Sequence, residues 1–214
     1  MTTRVVLAAA AAAALAAAPA PALAAQVQNP GPVRFAVTGG SLKLAGQSVN
    51  LANKRFVLAG TVTRAGRIRL PAARAVLPPF ALTGSFSAYK VALHAGAATG
   101  ALRPGTGALS ITLPIWVGLS GPAIPAGCAA GSAAAPIVLK LSGGGVGRAT
   151  GRGAARGTPV ARVSVSDRRF AIPSVAGCGD PMTGVINTAL GLPSAAGTSS
   201  ITLVMKLATP LRIG

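Results

Sequence analysis

Runs of alternating apolar and polar residues, separated by glycine-rich turns, constrain this chain more than any other feature. Val33-Arg34-Phe35-Ala36-Val37 and Arg67-Ile68-Arg69-Leu70 set arginines on one side and apolar groups on the other. Leu109-Ser110-Ile111-Thr112-Leu113, Val163-Ser164-Val165-Ser166 and Ile201-Thr202-Leu203-Val204-Met205-Lys206-Leu207 keep the same rule. A period of two sends successive side chains to opposite faces of a strand, so each run buries one face and wets the other. Thr38-Gly39-Gly40, Ala65-Gly66, Pro104-Gly105-Thr106-Gly107 and Ser142-Gly143-Gly144-Gly145 read as the turns between strands. Glycine supplies the positive φ that tight hairpins need. The pattern predicts an all-β fold, an antiparallel β-sandwich with a closed β-barrel as the alternative. A faint repeat supports hairpins: Gly60 to Pro71 and Gly100 to Pro114 each read as strand, glycine turn and strand ending in a proline.

One segment departs from the pattern. Asp180-Pro181, then Met182 to Leu190, then Gly191, predicts a short helix near 181–190. Asp180 is expected to cap its free N–H groups, Pro181 suits the first position, and Gly191 suits a left-handed stop.

The N-terminus has the three-part layout of a secretory signal peptide. Met1-Thr2-Thr3-Arg4 is a short positive start, Val5 to Ala18 is an unbroken apolar run, and Ala22-Leu23-Ala24 follows a Pro19-Ala20-Pro21 break. The run is 14 residues long, short of the roughly 20 that span a bilayer. Cleavage after Ala24 takes Arg4 away and leaves 190 residues with a formal charge of +17. That length suits a single domain, residues 25–214. No later run is long enough for a transmembrane helix, so the expected product is secreted, extracellular or held at the cell envelope.

Cys128 and Cys178 are an even pair in a chain expected to be exported, which predicts a disulfide between them. Closing a loop of about 50 residues stabilises by roughly 4 kcal/mol in the chain-entropy estimate. Neither cysteine belongs to a Cys-x-x-Cys motif.

Composition narrows the chemistry. The chain carries 20 Lys+Arg against 2 Asp+Glu and one His. So few acids and imidazoles argue against carboxylate metal cages and multi-histidine metal sites, and no cofactor or metal is expected. A hydrolase would rest on His94 with a serine and Asp167 as orienter, yet no Gly-x-Ser-x-Gly elbow marks a nucleophile. Glycosidase chemistry would need Asp167 and Asp180 to converge. The glycine-rich stretch Gly143 to Gly153 lacks the Lys-Ser/Thr of a phosphate loop. The expectation is a non-enzymatic protein, with the hydrolase as the least favoured alternative.

What the chain has in abundance is positive charge. Arg64, Arg67 and Arg69 cluster about one hairpin, and Arg148, Arg152, Arg156, Arg162, Arg168 and Arg169 crowd a second region. A field of this sign draws polyanions, and guanidinium forks match phosphate and carboxylate. These nine arginines are the candidate contacts for an anionic cell-wall or surface polymer. Sequence-specific nucleic acid is not expected: there is no helix-turn-helix or finger spacing, and aromatics make up only 3% of residues. Trp116 and Tyr89 are the only platforms for a sugar ring, and Pro114 to Leu119 reads as a buried strand. A carrier of a small apolar or lipid ligand is the alternative if the strands close as a barrel. Lys and Arg on the strands oppose edge pairing, so a monomer is expected.

Thr38-Gly39-Gly40-Ser41-Leu42-Lys43-Leu44, Ile68 to Pro71, Leu77-Pro78-Pro79-Phe80 and Phe170-Ala171-Ile172-Pro173 leading to Cys178-Gly179 resemble secreted β-rich proteins of high-GC Gram-positive bacteria. The resemblance implies export and a β-rich fold and brings no activity with it.

Overall fold

The computed structural model describes residues 25–44, 47–51, 56–72, 75–76, 79–81, 87–145 and 158–213. The expected signal peptide, residues 1–24, lies outside them, as do Arg148, Arg152 and Arg156. In chain order the elements are β1 (Gly31–Leu44), β2 (Gln47–Asn50), β3 (Phe56–Val62), β4 (Arg67–Leu70), β5 (Ala75–Val76), β6 (Phe80–Ala81) and β7 (Lys90–Ala95). Then come β8 (Ala98–Arg103), β9 (Ala108–Ser120), β10 (Ala129–Ala130), β11 (Ile137–Gly145), β12 (Thr158–Asp167), β13 (Val175–Ala176), α1 (Met182–Leu190) and β14 (Ser200–Ile213).

The all-β reading holds, in its closed form. Strands pair antiparallel in the order β1-β14-β12-β11-β9-β8-β4-β3. β3 then returns to β1 through Val33↔Gly60 and Phe35↔Leu58, which closes an eight-stranded barrel rather than two facing sheets. Closure removes the open edges that a sandwich would have to protect. Bulges let the long strands bend far enough to close. The register of β1 against β14 shifts between Val37 and Gly39, so Thr38-Gly39-Gly40 stays inside a strand instead of turning. Ser142 to Gly145 likewise belongs to β11, where a Cβ on Gly143 would fall 1.9 Å from the Ser164 carbonyl oxygen. There glycine serves close strand approach, not reversal. β7 continues β8 along β9, with a one-residue register change across Gly96-Ala97. Pro114, which has no N–H to offer a ladder, sits at that bulge and accepts the Gly96 N–H at 2.8 Å.

The two glycine hairpins anticipated from the repeat, β3–β4 and β8–β9, stand side by side because β4 pairs with β8. Inward positions are filled by Phe35, Leu58, Ile68, Ile111, Leu139, Leu141, Leu203 and Met205, all fully buried. Each such side chain contributes about 1.5–3 kcal/mol on leaving water. Outward positions carry Arg34, Arg67, Arg69, Arg103, Lys140, Arg162 and Lys206, all exposed. This is the reverse of a bilayer-spanning barrel, which puts its apolar band outside. Among the described residues no helix is long and apolar enough to cross a membrane.

The predicted disulfide is present: Cys128 and Cys178 are bonded, with Cα atoms 4.3 Å apart. It sits beside a small annex in which β10 pairs with β9 and β13 pairs with β10. Asn187 of α1 holds β13 by accepting the Val175 N–H at 2.8 Å. The helix is where it was expected, and Gly191 ends it in the left-handed conformation at φ 64°. The expected Asp180 cap is corrected: the N-cap is Pro181 and no side chain caps the helix. With the helix starting at Met182, Asp180 lies one residue too early to reach the free N–H groups. The Thr183 N–H instead reaches back to the Gly179 carbonyl at 2.9 Å.

Candidate functional site

The barrel carries cations at both ends and its acids at one. β1 and β12 begin, and β14 ends, at the same end of the barrel as the 63–66 and 104–107 turns. Arg64, Arg67, Arg103 and Arg212 lie there, all exposed. The segment before β1 laces this end, since the Val27 N–H bonds the Arg64 carbonyl at 2.8 Å and the Gln28 N–H bonds the Arg212 carbonyl at 2.9 Å. Asp167 and Asp180, the chain's two acids, belong to the opposite end, at the close of β12 and before α1. On the outer wall between the ends, Arg162 faces Lys206 across β12 and β14, and Lys206 faces Ala36 of β1. Arg34, two residues from Ala36, is diagonal to Lys206, so three cations share one stretch of wall.

Six of the nine arginines anticipated from the sequence lie among the described residues, at three places on the barrel. Arg64, Arg67 and Arg69 share the β3–β4 hairpin, and Arg69 faces Thr61 and Thr99. Arg162 stands on the wall, while Arg168 and Arg169 follow β12 at the far end. The remaining three lie outside the described residues.

A second feature emerges only from the register. Ser110, Ser142, Ser166, Thr202, Ser41 and Asn50 are successive partners on β9, β11, β12, β14, β1 and β2, forming one polar row across six strands. Its first part crosses a groove of 1150 Å³ between β11 and the chain that follows β12. Lys140, Arg168 and Arg169 line the groove and are exposed, as are Thr112 and Ser142. The groove exists because β11 outlasts its neighbour. β11 and β12 pair from Ser142↔Ser166 onward, and beyond that point the Asp167 side chain replaces a strand. Its two oxygens accept the backbone N–H groups of Lys140 and Arg169, the latter at 2.8 Å. Asp167, only 7% exposed, is thus fully engaged in holding the groove's shape.

His94 and Trp116, the residues on which catalysis or sugar stacking would rest, are cross-strand partners on β7 and β9. Their rings stack with centroids 5.3 Å apart and planes 8° from parallel. The imidazole also stands over Gly118, where an added Cβ would come 3.1 Å from Nε2. The strand at Pro114 to Leu119 is as read, but parity puts Ile115 and Val117 inside and Trp116 on the outer wall. His94 and Asp167 line separate depressions, so the structure does not bring base and orienter together. Nor do Asp167 and Asp180 share a groove: Asp180 is exposed beside the helix and is not among the lining residues around Asp167. Among the described residues, no group of three or more His, Cys, Asp or Glu is placed to hold a metal.

The chain matches no family model, no curated protein and no solved structure.

Proposed function

We propose that this barrel is an exported, non-enzymatic, monomeric protein that adheres to anionic polymers of the cell envelope through its outward arginines and lysines. The observation that carries this reading is the Arg162–Lys206 pair with Arg34 beside it. Like charges directly opposite on a ladder destabilise a sheet, and a bound polyanion removes that cost. An end of the barrel with Arg64, Arg67, Arg103 and Arg212 at its rim adds a long-range field of the same sign. The interior, where the ligand of an apolar carrier would lie, is occupied by Phe35, Leu58, Ile111, Leu139 and Met205.

The test is retention of the mature protein on isolated cell wall and on immobilised polyphosphate as salt is raised. Screening shortens the reach of charge to about 8 Å at physiological ionic strength, so retention falls steeply with salt if the reading holds. Retention indifferent to salt, or none at low salt, rejects it.

A further inference from the structure

We propose that the groove between β11 and residues 168–173 seats an extended acidic glycan, with Thr112, Ser142 and Ser166 meeting its hydroxyl groups and Lys140, Arg168 and Arg169 its carboxylates. This rests on the polyanion reading above and narrows it to one place and one chemistry.

Three observations converge. The groove is concave and roomy at 1150 Å³, and its cations come from two different elements, Lys140 on β11 and the arginine pair after β12. One of those cations faces a hydroxyl directly, Lys140 being the register partner of Thr112, and two further hydroxyls, Ser142 and Ser166, face each other. Hydroxyls both donate and accept, which suits the alcohols of a sugar ring, whereas a bare phosphate chain offers only acceptors. Finally, the polar row leaves the groove and continues through Thr202, Ser41 and Asn50. With strands 4.7–4.9 Å apart, the row follows the curved wall for about 24 Å of contour, longer than a single sugar.

The same geometry disfavours a peptide adding as a strand along β11. The Lys140 N–H, which such a strand would need, is already taken by Asp167. The polar row also runs across the strands, whereas an added strand would lie parallel to them. Nucleic acid is disfavoured because the aromatic at the groove, Phe170, is buried and offers no face for a base.

The experiment measures binding of the mature protein to oligogalacturonate, polyphosphate and polyglutamate of matched charge at low salt. Three variants are compared with the parent. The first is Lys140→Gln/Arg168→Gln/Arg169→Gln in the groove. The second is Arg34→Gln/Arg162→Gln/Lys206→Gln on the wall, with equal charge loss. The third is Thr112→Val/Ser142→Ala, which alters no charge. All these side chains are exposed, and thermal unfolding confirms that each variant is folded. The groove variant is expected to lose more than about tenfold in affinity for oligogalacturonate, and the wall variant less than about threefold. The hydroxyl variant is expected to weaken oligogalacturonate several-fold and leave polyphosphate unchanged. Equal losses from the two charge variants overturn the groove while leaving the polyanion reading intact. A groove-dependent preference for polyglutamate, untouched by hydroxyl removal, overturns the glycan in favour of a peptide. Failure of the parent to bind any of the three removes the polyanion reading itself.

Discussion

Arg162 on β12 stands directly opposite Lys206 on β14, with Ala36 as the next partner along the row. Facing positions bring Cβ atoms to about 4.5–5.5 Å, close enough for repulsion to register in stability. Lys206→Glu converts that repulsion into an ion pair. We expect it to raise unfolding free energy by about 0.2–1 kcal/mol at low ionic strength, with the gain fading as salt is added. Retention on polyphosphate should fall in the same variant. Urea unfolding at two salt concentrations, with a retention profile, checks both; a loss of stability would contradict the register.

The disulfide ties the small annex of β10 and β13 together beside the barrel wall. β10 and β13 meet through two residue pairs, Ala129↔Ala176 and Ala130↔Val175, and the Leu119 N–H depends on the Cys128 carbonyl at 2.8 Å. Replacing both cysteines by alanine is expected to cost about 2–5 kcal/mol, read as a lowered urea midpoint. Amide exchange at Leu119 should accelerate by more than the average for β9. Uniform loss of protection would mean that the annex and the barrel unfold as one unit.

How much of this the sequence discloses depends on the range of the interaction. Arg34, Arg67 and Arg69 face outward as the alternation requires, because parity within a strand is a local property. The helix stop at Gly191 and the Cys128–Cys178 bond are equally legible. Closure into a barrel is not, since it depends on β1 meeting both β14 and β3 across most of the chain. Thr38-Gly39-Gly40 shows why: a glycine pair marks a turn or a bulge equally well, and only the partner strand decides. The row from Ser110 to Asn50 and the role of Asp167 were hidden for the same reason. Each is set by the register of strands far apart in sequence, not by spacing along one of them.

Gly66 tests how tightly the two hairpins are joined. Its φ of +78° lies in the left-handed region, and a Cβ there would fall 1.9 Å from the Leu102 carbonyl oxygen. The Leu102 N–H bonds the Gly66 carbonyl at 2.7 Å, so the residue cannot move away without breaking that link. Gly66→Ala combines backbone strain with steric conflict and is expected to destabilise by about 1–3 kcal/mol. A thermal midpoint equal to the parent's would show that the hairpins part easily.

Asp167 separates stability from binding. Its two carboxylate oxygens accept one N–H each, from Lys140 and Arg169, and the group is 7% exposed. Asparagine has the same shape but a single acceptor oxygen, so Asp167→Asn leaves one backbone N–H facing an amide that also donates. A buried donor without an acceptor costs about 1–3 kcal/mol, which should lower the urea midpoint and speed exchange of the Lys140 or Arg169 amide. The substitution also removes a negative charge beside Arg168 and Arg169, so a folded variant should hold polyphosphate at least as well as the parent. Lys206→Glu carries the opposite expectation, gaining stability while losing retention. If both variants moved stability and retention in the same direction, retention would be reporting the integrity of the fold rather than the charge on its wall.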